Sequence, residues 1–419
     1  MDTISIPISP VDWNIKLPDF TKYVTGNNIP IYTVQTEAYD IAYVELVFEN
    51  GRLSERKKLA SRCCSNQLLE GSYSKSRFEI AEFFDFYGSS YHVHSDLDFT
   101  VIAINTMHKH FEKVFTFLID VIISPLFESE KLNKGKRLLL SQLQHQLSEP
   151  DFVSYRELTA HLYGGDTIYG YNSTPERIEG ILPEDLKQYF DENYTSDKLK
   201  IFYCGKNVKN DFWEEQTLKI KSTVKIQNEY PTINTINIQK HFPIEGCQQR
   251  SLKMGLRLFK KTDPDYYPMY FINTLLGDYF GSRLMNQIRE KHGLTYDIHS
   301  TLDVQLHDGI FYISAELNPN QTEKTIQLIK KEIQKLRSKE IEKEELNMVK
   351  NYLNGHLLRL IDGPYQTIQL LKILITEFQD DQSFDVLVHE VQSIHQETIH
   401  KISSKYLKEE EMSIITAGS

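Results

Sequence analysis

Long apolar runs are missing from this chain, and their absence removes a membrane-spanning reading. The best candidate, residues 114–123, is too short to cross a bilayer and carries Asp120. Cysteine is scarce: Cys63, Cys64, Cys204 and Cys247 are the only four, and no Cys-x-x-Cys spacing occurs. Neighbours such as Cys63 and Cys64 rarely pair with each other, and so few thiols make no disulfide framework. No block of Lys or Arg offsets a net charge of -11, which argues against a nucleic-acid partner. Neither a Walker A loop nor a Gly-x-Ser-x-Gly elbow is present. The glycines at Gly277 and Gly281 are too sparse for a phosphate loop and read as a turn between helices. The segment from Met1 to Pro7 lacks the cationic start and apolar run of a secretory leader. The expectation is a cytoplasmic protein with reduced thiols.

What the chain does have is a repeat. Gly88, Tyr91, His94, Ser95, Leu97 and Asp98 return in register as Gly293, Tyr296, His299, Ser300, Leu302 and Asp303, with Val93 matched by Ile298. Downstream, Glu130, Leu132, Asn133 and Lys136 return as Glu344, Leu346, Asn347 and Lys350. A repeat on this scale means a duplicated globular unit rather than a solenoid. It divides the 419 residues into an N-terminal domain over 1–215, a linker over 216–240 and a homologous C-terminal domain over 241–419.

Local patterning fills in each half. The β-rich run 41–48 reads as a strand and 53–69 as a helix closed by Gly71. A helix over 78–86, a hairpin over 91–104 and helices over 111–123 and 132–147 follow, with a closing strand at 201–205. The second half repeats the order: a strand at 252–259, helices at 267–276 and 282–291, strands at 296–304 and 309–317, and helices at 323–336 and 342–360. Strands in antiparallel hairpins with helices between them give an α+β class: two homologous domains, each a mainly antiparallel sheet with helices packed on it.

Several runs carry a family likeness. They are Leu59 and Ala60 through Leu68, Leu69, Glu70, Gly71 and Ser72, then Leu162 and Tyr163 through Tyr171, Thr174, Pro175 and Ile178. Gly205 and Lys206 close the first half, and the second contributes Gly281 to Leu284, Ile288 to Lys291, Gly293, Leu294 and Tyr296. Over nearly its whole length the chain resembles the insulinase/pitrilysin, or inverzincin, zinc peptidases, which implies the processing-peptidase type of fold. Active members carry His-x-x-Glu-His on the first helix, two imidazoles one turn apart on one zinc and a Glu that activates water. The resemblance places the first His at Arg62, the Glu at Ser65, the second His at Asn66 and the later Glu ligand at Gln142. An Arg, an Asn and a neutral Gln are not a zinc site, and Ser65 is no general base without an activator. No metal or other cofactor is expected in this chain, and zinc is expected only in a catalytic partner.

The remaining histidines are candidate ligands of differing merit. His92 and His94 alternate on one strand face, which allows a metal pair, though the match of His94 to His299 points to a shared structural role. His108 and His110 flank Lys109 in a turn and read as solvated. His145 lies one turn from Gln142, with no partner nearby. In the second half the resemblance carries over an Arg/Tyr pair to Arg289 and Tyr296, seven residues apart. In the family that pair faces the zinc domain across the chamber, binds the substrate backbone and stabilises the oxyanion. A structural role is the competing account: an ion pair of Arg289 with Glu290 and a packed Tyr296. The position of Arg289 is held in the first half by Phe84.

Half-length family members work as two-chain clamshells. The resemblance therefore implies a catalytically silent subunit that lends Arg289 and Tyr296 to a homologous zinc-bearing partner acting on an unstructured peptide. Two alternatives remain: a peptide-binding or assembly protein that pairs with itself as a homodimer, and a peptidase with an unorthodox metal site at His92 and His94.

Overall fold

Two sheets of one topology organise the molecule. The structure, a computed structural model, describes residues 14–222, 230, 236–338 and 341–419. The first half runs β1 (Thr21–Val24), β2 (Pro30–Gln35), β3 (Ile41–Phe48), α1 (Ala60–Gln67), α2 (Arg77–Phe86), β4 (Ser90–Ser95) and β5 (Thr100–Met107). It continues through α3 (Phe111–Ile122), α4 (Ser129–Gln146), α5 (Pro150–Tyr163), α6 (Pro175–Glu179), α7 (Pro183–Asn193), β6 (Leu199–Gly205) and α8 (Asn210–Thr217). The second half runs β7 (Gln239–Pro243), β8 (Arg250–Leu258), α9 (Tyr266–Leu276), β9 (Ile298–Val304) and β10 (Gly309–Leu317). It ends with α10 (Thr322–Ser338), α11 (Lys343–Leu360), α12 (Pro364–Ile373), α13 (Ser383–Ser393), α14 (Gln396–Tyr406) and β11 (Ser413–Gly418).

The spatial orders are β1-β2-β6-β3-β5-β4 and β7-β11-β8-β10-β9. Apart from β1 the two orders correspond strand for strand. In each sheet one pair is parallel, β2 with β6 and β7 with β11, and the other pairs are antiparallel. The repeated segments therefore occupy equivalent places: both enter the edge strand, β4 or β9, after a glycine. Gly88 has φ 56 and Gly293 has φ 60, with open space where a Cβ would stand, so backbone conformation rather than crowding calls for glycine.

Local chemistry explains where helices begin. Ser76 and Glu79 form a reciprocal capping box at α2, and Pro150 and Pro364 open α5 and α12. Two expected helices differ from the sequence reading. The run 53–69 contains only a 3-10 turn at Arg52–Ser54 before α1, because Leu59 takes a left-handed conformation with φ 75 that breaks the helix. The run 282–291 is π-helical over Met285–Glu290, and β9 begins at Ile298 rather than Tyr296. Of the segment 216–240, residues 223–229 and 231–235 lie outside the described residues. Gln216 and Thr217 end α8 in buried positions, and Gln239 and Lys240 start β7. All four thiols are free, with Cys63, Cys64 and Cys204 buried. No helix among the described residues is long and apolar enough to cross a membrane.

Each half has its own core between one sheet face and its own helices, and each lends a helix to the other half's sheet. Along β3, Ala42, Val44, Leu46 and Phe48 enter the first core. Tyr43 and Val47 point the other way, into a cluster completed by Ile368 and Leu371 of α12. Reciprocally, Leu158 and Leu162 of α5 pack with Ile310 and Ile415 of the second sheet. A buried charge marks each docking face. Glu45 receives Lys372 of α12 at 2.9 Å, and Lys253 is paired with Asp151 of α5. The repeated aspartates sit at this join as well. Asp98 accepts the Tyr169 hydroxyl at 2.6 Å and the Leu306 N–H at 3.3 Å, and Asp303 accepts the Tyr155 hydroxyl at 2.6 Å. A backbone N–H from the second half and a tyrosine from the first thus fasten the halves together at the ends of the repeat.

Candidate functional site

Helix α1 is set in place by a buried carboxylate. Glu55 accepts the N–H and hydroxyl of Ser61 at 2.9 and 2.6 Å and the Tyr171 hydroxyl at 2.6 Å. The Tyr171 oxygen in turn accepts the Leu59 N–H at 3.2 Å. Burial raises the Glu55 carboxyl above its ordinary value, against the pull of these hydrogen bonds. Arg52 lies 4.1 Å over the Tyr171 ring, so the tyrosine supports both the cation and the helix start.

From that start, α1 buries Cys63, Cys64 and Leu68 in the first core and turns Arg62 and Asn66 outward. Those two are four residues apart and share a face. Burial pushes the Cys63 thiol up to about 11. Helix α4 passes close by at Gly135, where a Cβ would stand 3.1 Å from the Gln67 side-chain nitrogen. The approach brings Gln142 to the wall of a cavity of about 780 Å³ that Arg62 and Asn66 also line. Three of the four positions taken from the zinc motif therefore meet. The fourth does not: Ser65 is buried, and its hydroxyl donates to the Arg62 carbonyl at 3.0 Å. A second lobe of about 350 Å³ shares Arg62 and Tyr171 and extends past Phe152 and Tyr155 to Asp303 and Gln305 of the other half.

This donor set does not fit zinc. A guanidinium and two carboxamides replace imidazoles and a carboxylate, and a fixed cation stands where a dication would need electron pairs. Among the described residues no group of three or more His, Cys, Asp or Glu could hold a metal ion. His92 and His94 do project together, their rings stacked with centroids 6.3 Å apart, but no third donor joins them. Of the two, only His94 lines the cavity, and His145 lines neither lobe. His108 and His110 occupy a 3-10 turn.

Arg289 and Tyr296 come together elsewhere. The guanidinium lies 4.5 Å over the Tyr296 ring and 5.3 Å over that of Phe280, with Glu290 3.4 Å from its Nε. Tyr296 is 83 % exposed and Phe280 64 %, so the cluster faces solvent and Tyr296 is not packed at a strand start. Neither Arg289 nor Tyr296 lines either lobe. The first half holds the same arrangement in apolar form: Phe84 and Tyr91 have ring centroids 4.6 Å apart, with Phe84 buried. Phe280 escaped the sequence reading because an aromatic residue in a turn looks like packing. Only its exposure beside a cation marks it out.

Similarity to known proteins gives the family and the fold. Residues 31–170 match the family model "Insulinase (Peptidase family M16)", and residues 181–353 match "Peptidase M16 inactive domain". The chain belongs to the insulinase family, M16. It is an M16 peptidase homologue of the inactive kind. An uncharacterized zinc protease YmxG of Bacillus subtilis is 21% identical over 84% of this chain and 86% of its own length. A Helicobacter pylori protein named non-peptidase homolog YmxG is 24% identical over 78% of this chain and 77% of its own. Among solved structures, an M16 inactive domain from Pseudomonas fluorescens superposes with a TM-score of 0.87 at 21% identity. The match covers 96% of this chain and 98% of that one. The two-domain α+β fold is thus that of M16 proteins.

Proposed function

We propose that this M16 homologue is a catalytically silent subunit that completes the peptide chamber of a homologous zinc-bearing partner. The observation that carries the reading is the contrast between its two sites. The positions that the resemblance gives to the zinc motif hold Arg62, Asn66 and Gln142, while a half-buried Arg289, paired with Glu290, lies over the ring of an exposed Tyr296. A guanidinium and a phenol held against each other are donors with little left to reorganise. A peptide carbonyl gains negative charge as it is attacked, so donors aimed at it stabilise the transition state more than the ground state. Proton transfer and water activation would belong to the partner, since Ser65 has no base beside it. The resident cofactor of the assembly, zinc, is likewise the partner's.

The experiment mixes the full chain with a zinc-bearing M16 homologue and follows cleavage of an unstructured peptide. Arg289→Ala and Tyr296→Phe are each expected to lower turnover by about a hundredfold, with assembly on size-exclusion chromatography unchanged. Full activity with both variants would refute a role of this pair in the partner's reaction.

A further inference from the structure

The cavity that gathers Arg62, Asn66 and Gln142 is cationic within an acidic protein. Its wall carries Arg52, Arg62, Arg77, Lys131 and Lys134 against the carboxylates of Glu70 and Asp96, while the whole chain has a net charge of -11. Both carboxylates are already engaged. Glu70 pairs with Arg77 at 2.9 Å, and Asp96 accepts the N–H groups of Asp98 and Phe99 at 2.8 and 2.7 Å. Arg52 is held too, donating to the carbonyls of Ile168 and Tyr171 at 3.0 and 3.1 Å.

Three cations are left over. The side chains of Arg62, Lys131 and Lys134 make no hydrogen bond or ion pair with any described residue. Arg62 stands on α1, and Lys131 and Lys134 stand three residues apart on the facing side of α4. Like charges gathered in a concave site repel one another and focus the field outward, an arrangement that an incoming anion relieves. Apolar wall interrupts the charge at Val93, Leu97, Leu138 and Leu139, so the cavity suits aliphatic spacers as well as anions. Its volume of about 780 Å³, with the adjoining lobe of about 350 Å³, accommodates several residues of extended chain rather than a lone ion.

We propose that this cavity binds an acidic peptide segment, with side-chain or terminal carboxylates at Arg62, Lys131 and Lys134. The proposal takes its ligand class, a peptide, from the function proposed above, but it needs no partner subunit. Arg62 can grip a carboxylate with two parallel N–H donors, and the two lysines add point charge beside it.

The test is fluorescence anisotropy on the full chain alone, at about 50 mM salt so that screening stays weak. The probes are a labelled dodecapeptide rich in glutamate and its counterpart with glutamine at those positions. The glutamate peptide is expected to bind at least about tenfold more tightly. Arg62→Glu and Lys134→Glu, both at exposed positions, should each cost about tenfold, whereas Lys324→Glu on exposed α10 should cost nothing. Equal binding of the two peptides overturns the proposal. So does binding that Arg62→Glu and Lys134→Glu leave unchanged, or no binding of either peptide. Glutamate-peptide binding without any effect on a zinc-bearing homologue would uphold this site and refute the partner reading. Partner activation without peptide preference would do the reverse.

Discussion

Asp98 offers a direct measurement of how the two halves are joined. Its carboxyl is 7 % exposed, and burial raises it from an ordinary value of 3.8 to about 6, although Tyr169 and the Leu306 N–H both favour the ionised form. The folded state therefore holds this proton more tightly than the unfolded chain does. Its contribution is most favourable below 3.8, is lost as the pH climbs towards about 6, and is constant above that. This is the reverse of the behaviour of a salt-bridged aspartate. Asp98→Asn removes the titration while keeping shape and one acceptor. With 1.36 kcal/mol per pKa unit, the variant should gain about 2 kcal/mol on the parent between about pH 4.5 and pH 7.5. Urea unfolding of both proteins at the two pH values, followed by tryptophan fluorescence, measures that difference. A difference between variant and parent that stays constant to within about 0.5 kcal/mol would refute the reasoning.

Two further outcomes follow from named contacts. Lys372→Ala should destabilise the chain by about 3–5 kcal/mol, because it strips the close cation from the buried Glu45 carboxylate. The double change Glu45→Gln with Lys372→Met should restore most of that loss in urea unfolding, and a single variant within about 1 kcal/mol of the parent would count against the pairing. Elemental analysis of the purified chain is expected to find far less than one zinc per molecule, and a tightly held equivalent would contradict the ligand argument made for Arg62, Asn66 and Gln142.

Much of the fold was legible because its signals are local. The hairpins of β4 with β5 and β9 with β10 follow from alternation, and the duplication follows from identical residues such as Tyr91 and Tyr296. The exchange of α5 and α12 between halves was not legible. It depends on Leu158 sharing a buried cluster with Ile310, and Ile368 one with Phe202, residues far apart in sequence, and helical periodicity does not say which sheet a helix covers. The break before α1 was hidden for a related reason: the left-handed Leu59 gives its N–H to Tyr171, which lies far outside the segment. At the site, family resemblance pointed to Arg62, Asn66 and Gln142, but nothing in the sequence singled out Lys131 and Lys134, which gain meaning only from the placement of α4 beside α1. The repeat flagged Asp98 and Asp303 as a pair. Only the structure supplies their tyrosines, since Tyr169 and Tyr155 lie in the region between β5 and β6 and carry no mark of their own.

Arg62 and Asn66, placed on the zinc motif by the family resemblance, are exposed and carry little of the packing. Cys63, Cys64 and Leu68 bury the opposite face of α1, and Leu132 and Leu143 do the same for α4. The N-terminus of α1 is fixed by Glu55 rather than by a metal. An ion bridging Arg62, Asn66 and Gln142 would thus have tied together surfaces that are already held from behind. Ser65 is the instructive exception. At this buried position a carboxylate with no metal or substrate nearby would be an uncompensated charge, whereas a hydroxyl satisfies itself on the Arg62 carbonyl. Beside a zinc site of the family kind this cavity differs in charge, with side-chain cations spread over two helices in place of a dication confined to one point, an arrangement that suits an anion.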